Sequence, residues 1–197
     1  MQYAKDVMLT LKSDGFIDDQ PPILMSQWIA RTVQQQIPKL PFAPFFHQNT
    51  VLVPVPSSSL MRPGTLWVPE RIASALVKIG MGREVVACLV RTTALRKAAR
   101  TDPSDRPTPK EHIDTTSVQS QISEQPSEIL LVDDIITRGA TLLGAANRLA
   151  EVFPTAQIRG FAAMRTISDP SDFVATYEPC SGIIQYRERT GDTLRRP

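Results

Sequence analysis

Apolar residues recur with helical spacing in two early stretches of the chain and in short unbroken runs after residue 50. Residues 3–13 read as a helix, as do residues 26–37, where Ile29, Val33 and Ile37 share a stripe and Ser26 is placed to cap the N-terminus. Pro38, Pro41 and Pro44 interrupt any helix that follows, and Phe42, Phe45 and Phe46 among them read as packing groups rather than a binding surface. From Val51 the pattern changes. Apolar runs at 51–55, 85–90, 129–132 and 158–163 lack the polar alternation of a sheet with one wet face, so helices should cover both faces. One covering helix is predicted at 69–79, where Ile72, Leu76 and Ile79 align and Gly80 provides a left-handed stop. The other is predicted at 140–153, with Leu142, Ala145, Ala146, Leu149 and Phe153 facing inward. Strands that alternate with helices in this way mark a parallel α/β sheet.

A length of 197 residues fits one medium domain with an appendage. The expected division is a helical appendage or hood at 1–50, a core at 51–166, and a tail at 167–197 that forms a second hood element or a β-hairpin. In the tail, Tyr177, Pro179, Tyr186 and Arg187 lie in a β-prone stretch that suits core packing or an edge hairpin, with a dimer surface as the alternative. Residues 91–125 are polar, rich in Ser, Thr and Pro, and dense in cations up to Lys110, so they read as a long mobile excursion, either a lid or disorder. The net charge of +2 is too small for a dedicated duplex-DNA binder. Cys88 and Cys180 have no metal-ligand spacing, which argues against structural zinc and for a reducing compartment. His47 and His112 are single histidines without partner spacing, expected at the surface or in local hydrogen bonds. No run approaches the about 18 apolar residues of a membrane span, and residues 1–12 lack the features of a signal peptide, so a cytoplasmic location is expected.

One segment carries chemistry. The apolar run Ile129 to Val132 leads into Asp133 and Asp134, then Ile135, Ile136, Thr137, Arg138, Gly139, Ala140 and Thr141, where a helix begins. Ligands bind at the carboxyl ends of strands in open α/β sheets. Gly139 permits a tight turn, and the amides of Thr137 to Thr141 at a helix N-terminus suit a phosphate, with the Thr137 and Thr141 hydroxyls as further donors. Two adjacent carboxylates beside a phosphate make sense when the phosphate is carried by a ribose whose hydroxyls they accept, with Mg²⁺ moderating the remaining charge. The plain alternative is a strand end with two solvated aspartates capping the next turn.

The segment ILLVDDIITRGAT resembles the thirteen-residue PRPP-binding motif of the type I phosphoribosyltransferases, with Arg138 standing where many members carry a small residue. VLVPVPSSSLMRPG is similar to the strand and loop that open the ComF-like branch of that family, although the cysteine-rich N-terminal element of that branch is missing. The resemblance implies a Rossmann-like α/β fold, a parallel sheet flanked by helices with a small hood, and Mg²⁺ with PRPP or a phosphoribosyl nucleotide as ligand. It implies that Asp133 and Asp134 orient the ribose and hold Mg²⁺, directly or through water, and that residues Thr137, Arg138, Gly139, Ala140 and Thr141 grip the 5′-phosphate. Ser57, Ser58 and Ser59 with Arg62 would form the pyrophosphate loop, Arg62 acting with the two aspartates in catalysis. Arg91, Arg96, Lys97, Arg100, Arg106 and Lys110 are cations able to close over pyrophosphate, with Arg96, Lys97 and Arg100 the lid candidates.

The leading expectation is transfer of a phosphoribosyl group to an unidentified acceptor with release of pyrophosphate. The alternatives are a non-catalytic PRPP or nucleotide sensor and a ComF-like accessory of nucleic-acid uptake or processing. The family allows a homodimer, nucleic acid is the weaker candidate partner, and no membrane partner is expected. A receiver-like domain with an acidic Mg²⁺ pocket fails on the TRGAT loop, whose amides such a domain does not need.

Overall fold

The protein is described by a computed structural model covering residues 2–96, 105–119, 125–167, 174–175 and 177–196. The N-terminal part holds α1 (Gln2–Ser13), the paired two-residue strands β1 (Phe16–Ile17) and β2 (Ile23–Leu24), and α2 (Met25–Gln36). Ser26 does not cap α2 but lies within its first turn; its amide and hydroxyl donate to the two oxygens of Asp14, at 2.8 and 3.2 Å. The cap thus comes from a carboxylate twelve residues upstream, itself buried and paired with Arg71.

The sheet is built from β3 (Val51–Pro54), β4 (Glu84–Val85), β7 (Glu128–Ile136) and β8 (Gln157–Arg165), parallel throughout, in the order β4-β3-β7-β8. Side chains alternate across it. Leu52, Leu130, Val132 and Phe161 pack against α2 and α3 (Val68–Lys78), whereas Val51, Val53, Ile129 and Leu131 pack against α5 (Ala140–Val152). Both faces are therefore covered, as the unbroken apolar runs require. Gly80, at φ 81°, stops α3: its amide reaches the carbonyl of Val77, and that of Met81 reaches Leu76. Phe42 and Phe46 meet Phe161 of β8 with ring centroids 6.0 and 5.3 Å apart, so the aromatic group packs inward.

Two expectations need correction. Residues 85–90 do not form one strand: β4 belongs to the main sheet, whereas β5 (Leu89–Arg91) pairs antiparallel with β6 (Thr116–Val118) in a separate ribbon. Residues 91–125 are accordingly no unbroken loop, because the described parts include the strand end Arg91, α4 (Pro109–Asp114) and β6. The start of α4 is fixed by a capping box in which Thr108 and Glu111 satisfy each other's amides, with Pro109 in the first turn. At the C-terminal end, β9 (Ile183–Arg187) and β10 (Asp192–Arg196) form an antiparallel hairpin.

The connections place the site. β3 leads through α3 on one face to β4, and β7 leads through α5 on the opposite face to β8, so the chain departs in opposite directions from two neighbouring strands. A crevice opens at their carboxyl ends, where ligands bind in folds of this kind. α4 closes one side by packing on α5 at Gly144.

An alanine at 144 would gain about 1 kcal/mol of helix propensity. Its Cβ, however, would lie 2.5 Å from the Cβ of His112 and 3.1 Å from the Pro109 carbonyl oxygen. Overpacking of that kind costs about 1–3 kcal/mol. Gly144→Ala should therefore lower stability in urea denaturation, and a variant as stable as the wild type would reject this helix contact.

Candidate functional site

β7 keeps its alternation through Val132 and then loses it: Ile135 joins the cluster on the α3 side and Ile136 the one on the α5 side. β3 has ended by then, so the far end of β7 has β8 on one edge only. Asp133 and Asp134 fill this stretch, so they lie inside the strand rather than on the loop after it. Each carboxylate accepts the amide of the next residue, Asp134 onto Asp133 at 2.9 Å and Ile135 onto Asp134 at 2.8 Å. The turn that follows is short. Gly139, at φ 87°, is the N-cap of α5 and has no side chain to offer, which leaves the first amides of α5 without an intrahelical acceptor.

In front of those amides lies a cavity of about 40 Å³, lined by Asp133, Ile135 and Ile136, the segment from Thr137 to Leu142, and Arg106, Pro107 and His112. It brings together all five predicted phosphate-loop residues and one of the two acids; Asp134 does not line it. Asp133 is half-buried. Enclosure by protein, then the neighbouring Asp134 carboxylate, holds its carboxyl well above the ordinary range. Arg106 contributes a buried Nε that has no hydrogen-bond partner among the described residues.

The predicted pyrophosphate residues sit on the adjacent loop, after β3. The Ser57 hydroxyl accepts the Ser59 amide at 3.2 Å, the Ser58 carbonyl accepts the Leu95 amide at 2.8 Å, and Arg62 is exposed. Of the lid candidates, Arg96 is tied to α4 through an ion pair with Glu111 at 2.7 Å, whereas Lys97 and Arg100 lie outside the described residues. Arg138 is already engaged: its guanidinium pairs with Asp192 at the start of β10. On the same side Ile184 presses on Gly139, so closely that a Cβ there would lie 2.7 Å from its Cδ1. The C-terminal hairpin thus covers the loop at the start of α5.

Sequence placed Arg91 among the cations able to close over pyrophosphate and His112 at the surface or in local hydrogen bonds; the structure instead buries the two together, because each finds its partners on distant segments. Arg91 is 5% exposed, His112 6%, and no Asp or Glu among the described residues pairs with Arg91. Its guanidinium donates to the Ser57 carbonyl, to the Thr115 and Thr116 hydroxyls and to His112 Nδ1, so it stands between the two loops. The only advance signal is the T-P-K-E run at Thr108 to Glu111, a helix start that would have placed His112 on α4. Cys88 is fully buried, its thiol pushed up to about 11 by burial, whereas Cys180 is half-buried.

Among the described residues no three His, Cys, Asp or Glu side chains are grouped to hold a metal ion. Hard oxygen donors are nonetheless present in Asp133 and Asp134. One carboxylate facing the cavity would fit a Mg²⁺ that keeps most of its waters and is shared with a ligand, not an ion enclosed by protein. No described helix is long and apolar enough to cross a membrane.

Burial and then the Arg91 charge depress the His112 pKa from 6.5 to about 4, against a smaller raising effect of Glu111. Because the folded value lies below the unfolded one, the stabilisation is complete above pH 6.5 and is lost as pH falls to about 4, where the folded state also takes the proton. The full span is about 3 kcal/mol. Urea denaturation at pH 7 and pH 4 should show wild type losing about that much more stability than His112→Gln; equal losses would mean that His112 is not buried neutral.

No protein-family model matches the chain, and no curated protein matches it. Among solved structures it is similar to a hypoxanthine phosphoribosyltransferase from Staphylococcus aureus in two crystal forms, each at 10% identity over 73% of this chain and 74% of that one. The TM-scores are 0.38 for the tetragonal form and 0.37 for the orthorhombic form, a distance at which neither ligand nor activity carries over.

Proposed function

We propose that the crevice between β3 and β7 binds a 5′-phosphoribosyl group, as Mg·PRPP or a phosphoribosyl nucleotide, and that the chain transfers this group to an acceptor with release of pyrophosphate. The observation that carries the reading is the uncapped N-terminus of α5, with Gly139 left-handed and, at the same cavity, an Arg106 Nε that has no partner among the described residues. Amide donors, a helix dipole and a buried cation together favour an anion. Asp133, at the phosphate loop, is suited to accept ribose hydroxyls, while Asp134 shapes the strand end behind it. Ser57, Ser58 and Ser59 and exposed Arg62 would meet the diphosphate from the neighbouring loop. When bound, Mg²⁺ would neutralise charge on the departing diphosphate. In the transfer the C1′–oxygen bond to pyrophosphate breaks and a bond from C1′ to the acceptor forms, so positioning and charge stabilisation are the protein's main tasks.

Two other readings each have an observation in their favour. A cavity of about 40 Å³ is too small for a sugar phosphate, and the hairpin over Gly139 must shift to admit one, which favours a gated, non-catalytic sensor. A groove of about 420 Å³ on that hairpin, lined by Tyr186, Arg187, Arg189 and Arg196, suits single-stranded nucleic acid. Salt-sensitive binding of an oligonucleotide would support the latter.

Thermal denaturation with Mg·PRPP separates these readings, followed by pyrophosphate release across purine, pyrimidine and pyridine acceptors. Stabilisation with turnover supports the transferase, and stabilisation without turnover supports the sensor. Asp133→Asn should abolish the Mg·PRPP effect while raising the ligand-free Tm at pH 8, because a carboxyl held above its ordinary range by enclosure and by Asp134 is removed. Wild-type affinity in that variant would reject the assignment. Asp192→Asn frees Arg138 from its competing carboxylate and should tighten phosphate binding severalfold by calorimetry; weaker binding would show that the latch supports the site rather than covering it.

A further inference from the structure

The guanidinium of Arg91 can only donate hydrogen bonds, so every group it touches must accept. It reaches the Ser57 carbonyl at 3.1 Å, the Thr115 and Thr116 hydroxyls at 2.7 and 2.8 Å, and His112 Nδ1 at 3.3 Å. A ring nitrogen that accepts carries no proton, which puts the single proton of a neutral imidazole on Nε2. Nε2 faces the Thr141 hydroxyl at 3.4 Å. The hydroxyl oxygen therefore receives that proton, and its own O–H is left to donate elsewhere. No other hydrogen bond of this hydroxyl occurs among the described residues, and both His112 and Thr141 line the cavity at the start of α5.

We infer that Arg91 and His112 are positioning residues that lock the Thr141 hydroxyl as a donor, so that the cavity selects a fully ionised phosphate, an acceptor only, over groups that present an O–H or N–H of their own. The inference rests on the phosphate reading above and adds to it a directed hydrogen bond. It also gives the uncompensated charge of Arg91 a use. A buried cation without a carboxylate is costly unless an anion approaches, and the relay carries its polarisation to a hydroxyl placed to meet that anion. Through the Ser57 carbonyl the same guanidinium holds the neighbouring loop, so both halves of the crevice share one support.

The chain has two histidines, and His47 is exposed, so ¹⁵N-histidine labelling gives two resolvable rings. Long-range ¹H–¹⁵N spectra of the wild type at pH 7 should show His112 as the Nε2–H tautomer, and an Nδ1–H tautomer or an imidazolium would overturn the relay. In calorimetric titration with ribose 5-phosphate, Thr141→Val and His112→Phe should each weaken binding by about tenfold, with the double variant no weaker than either single one. His112→Gln, which restores an N–H near the Nε2 position, should recover most of the affinity. Unchanged affinity in His112→Phe beside a weakened Thr141→Val would reject the relay and leave the phosphate reading standing. The expected tautomer with no ribose 5-phosphate binding by the wild type would reject the phosphate reading, and the positioning role with it. Should His112→Phe fail to fold, the wild-type tautomer and the His112→Gln affinity still decide the matter.

Discussion

β3 and β7 are hydrogen-bonded neighbours, yet the chain leaves them toward opposite faces, through α3 on one side and α5 on the other. That departure forces a crevice at their carboxyl ends, because neither following loop can cover the other strand's end. Every other feature of the site depends on it. The pairing that makes the strands neighbours ends at Pro54 and Val132, just before the chemistry begins, so the next residues of β7 have one unpaired edge. Part-buried amides left without a ladder on that edge gain acceptors in the carboxylates of Asp133 and Asp134. The same acids that suit a ligand thus also finish a strand.

The charge balance of the crevice is uneven in an informative way. Arg138 is neutralised within the protein by Asp192, and Arg96 by Glu111. Arg91 and the Nε of Arg106 have no carboxylate partner among the described residues, and both lie beside the phosphate loop or one residue behind it. Among the described residues Arg138 and Arg96 are thus paired, whereas Arg91 and Arg106 are not. An anion entering the cavity would be attracted first by unpaired charge, and it would engage Arg138 only after displacing Asp192. The resemblance to the phosphoribosyltransferase motif departs at this very residue, so the departure acts on the hairpin more directly than on the phosphate.

Much of this was legible in the sequence where the signal was local. The apolar runs located β3, β7 and β8 within a few residues, Gly80 marked the end of α3, and the run through Gly139 announced a turn into α5. What was hidden depends on contacts between distant residues. Ser26 looked like a cap because its type and place fit one, but Asp14 had already taken the role across a tight turn. The 85–90 run looked like one strand because its residues favour extended backbone, and only pairing with Thr116–Val118 divides it between two sheets. His112 and Arg91 have no periodic partner, since their bonds span 21 to 34 residues, and a polar, Pro-rich composition concealed the short helix that carries the histidine.

Gly139 joins the two demands placed on this turn. Its left-handed φ would strain any other residue, and its missing Cβ is also what lets Ile184 of β9 approach within van der Waals reach. A phosphate loop needs the first property alone. The second means that the hairpin has been fitted to the loop in the closed state, apolar side chain against bare backbone, with the Arg138–Asp192 pair at its side. Ile184 is only partly buried, so it contributes less than the about 1.5–3 kcal/mol of a fully buried Ile, and the part-exposed ion pair adds at most about 1 kcal/mol. That sum is smaller than what a few hydrogen bonds from amides to a charged phosphate would return, at about 1.5–3 kcal/mol each. On the proposed reading, ligand binding would therefore outweigh hairpin closure, so that a loop covered in the free protein could still be reached by its ligand.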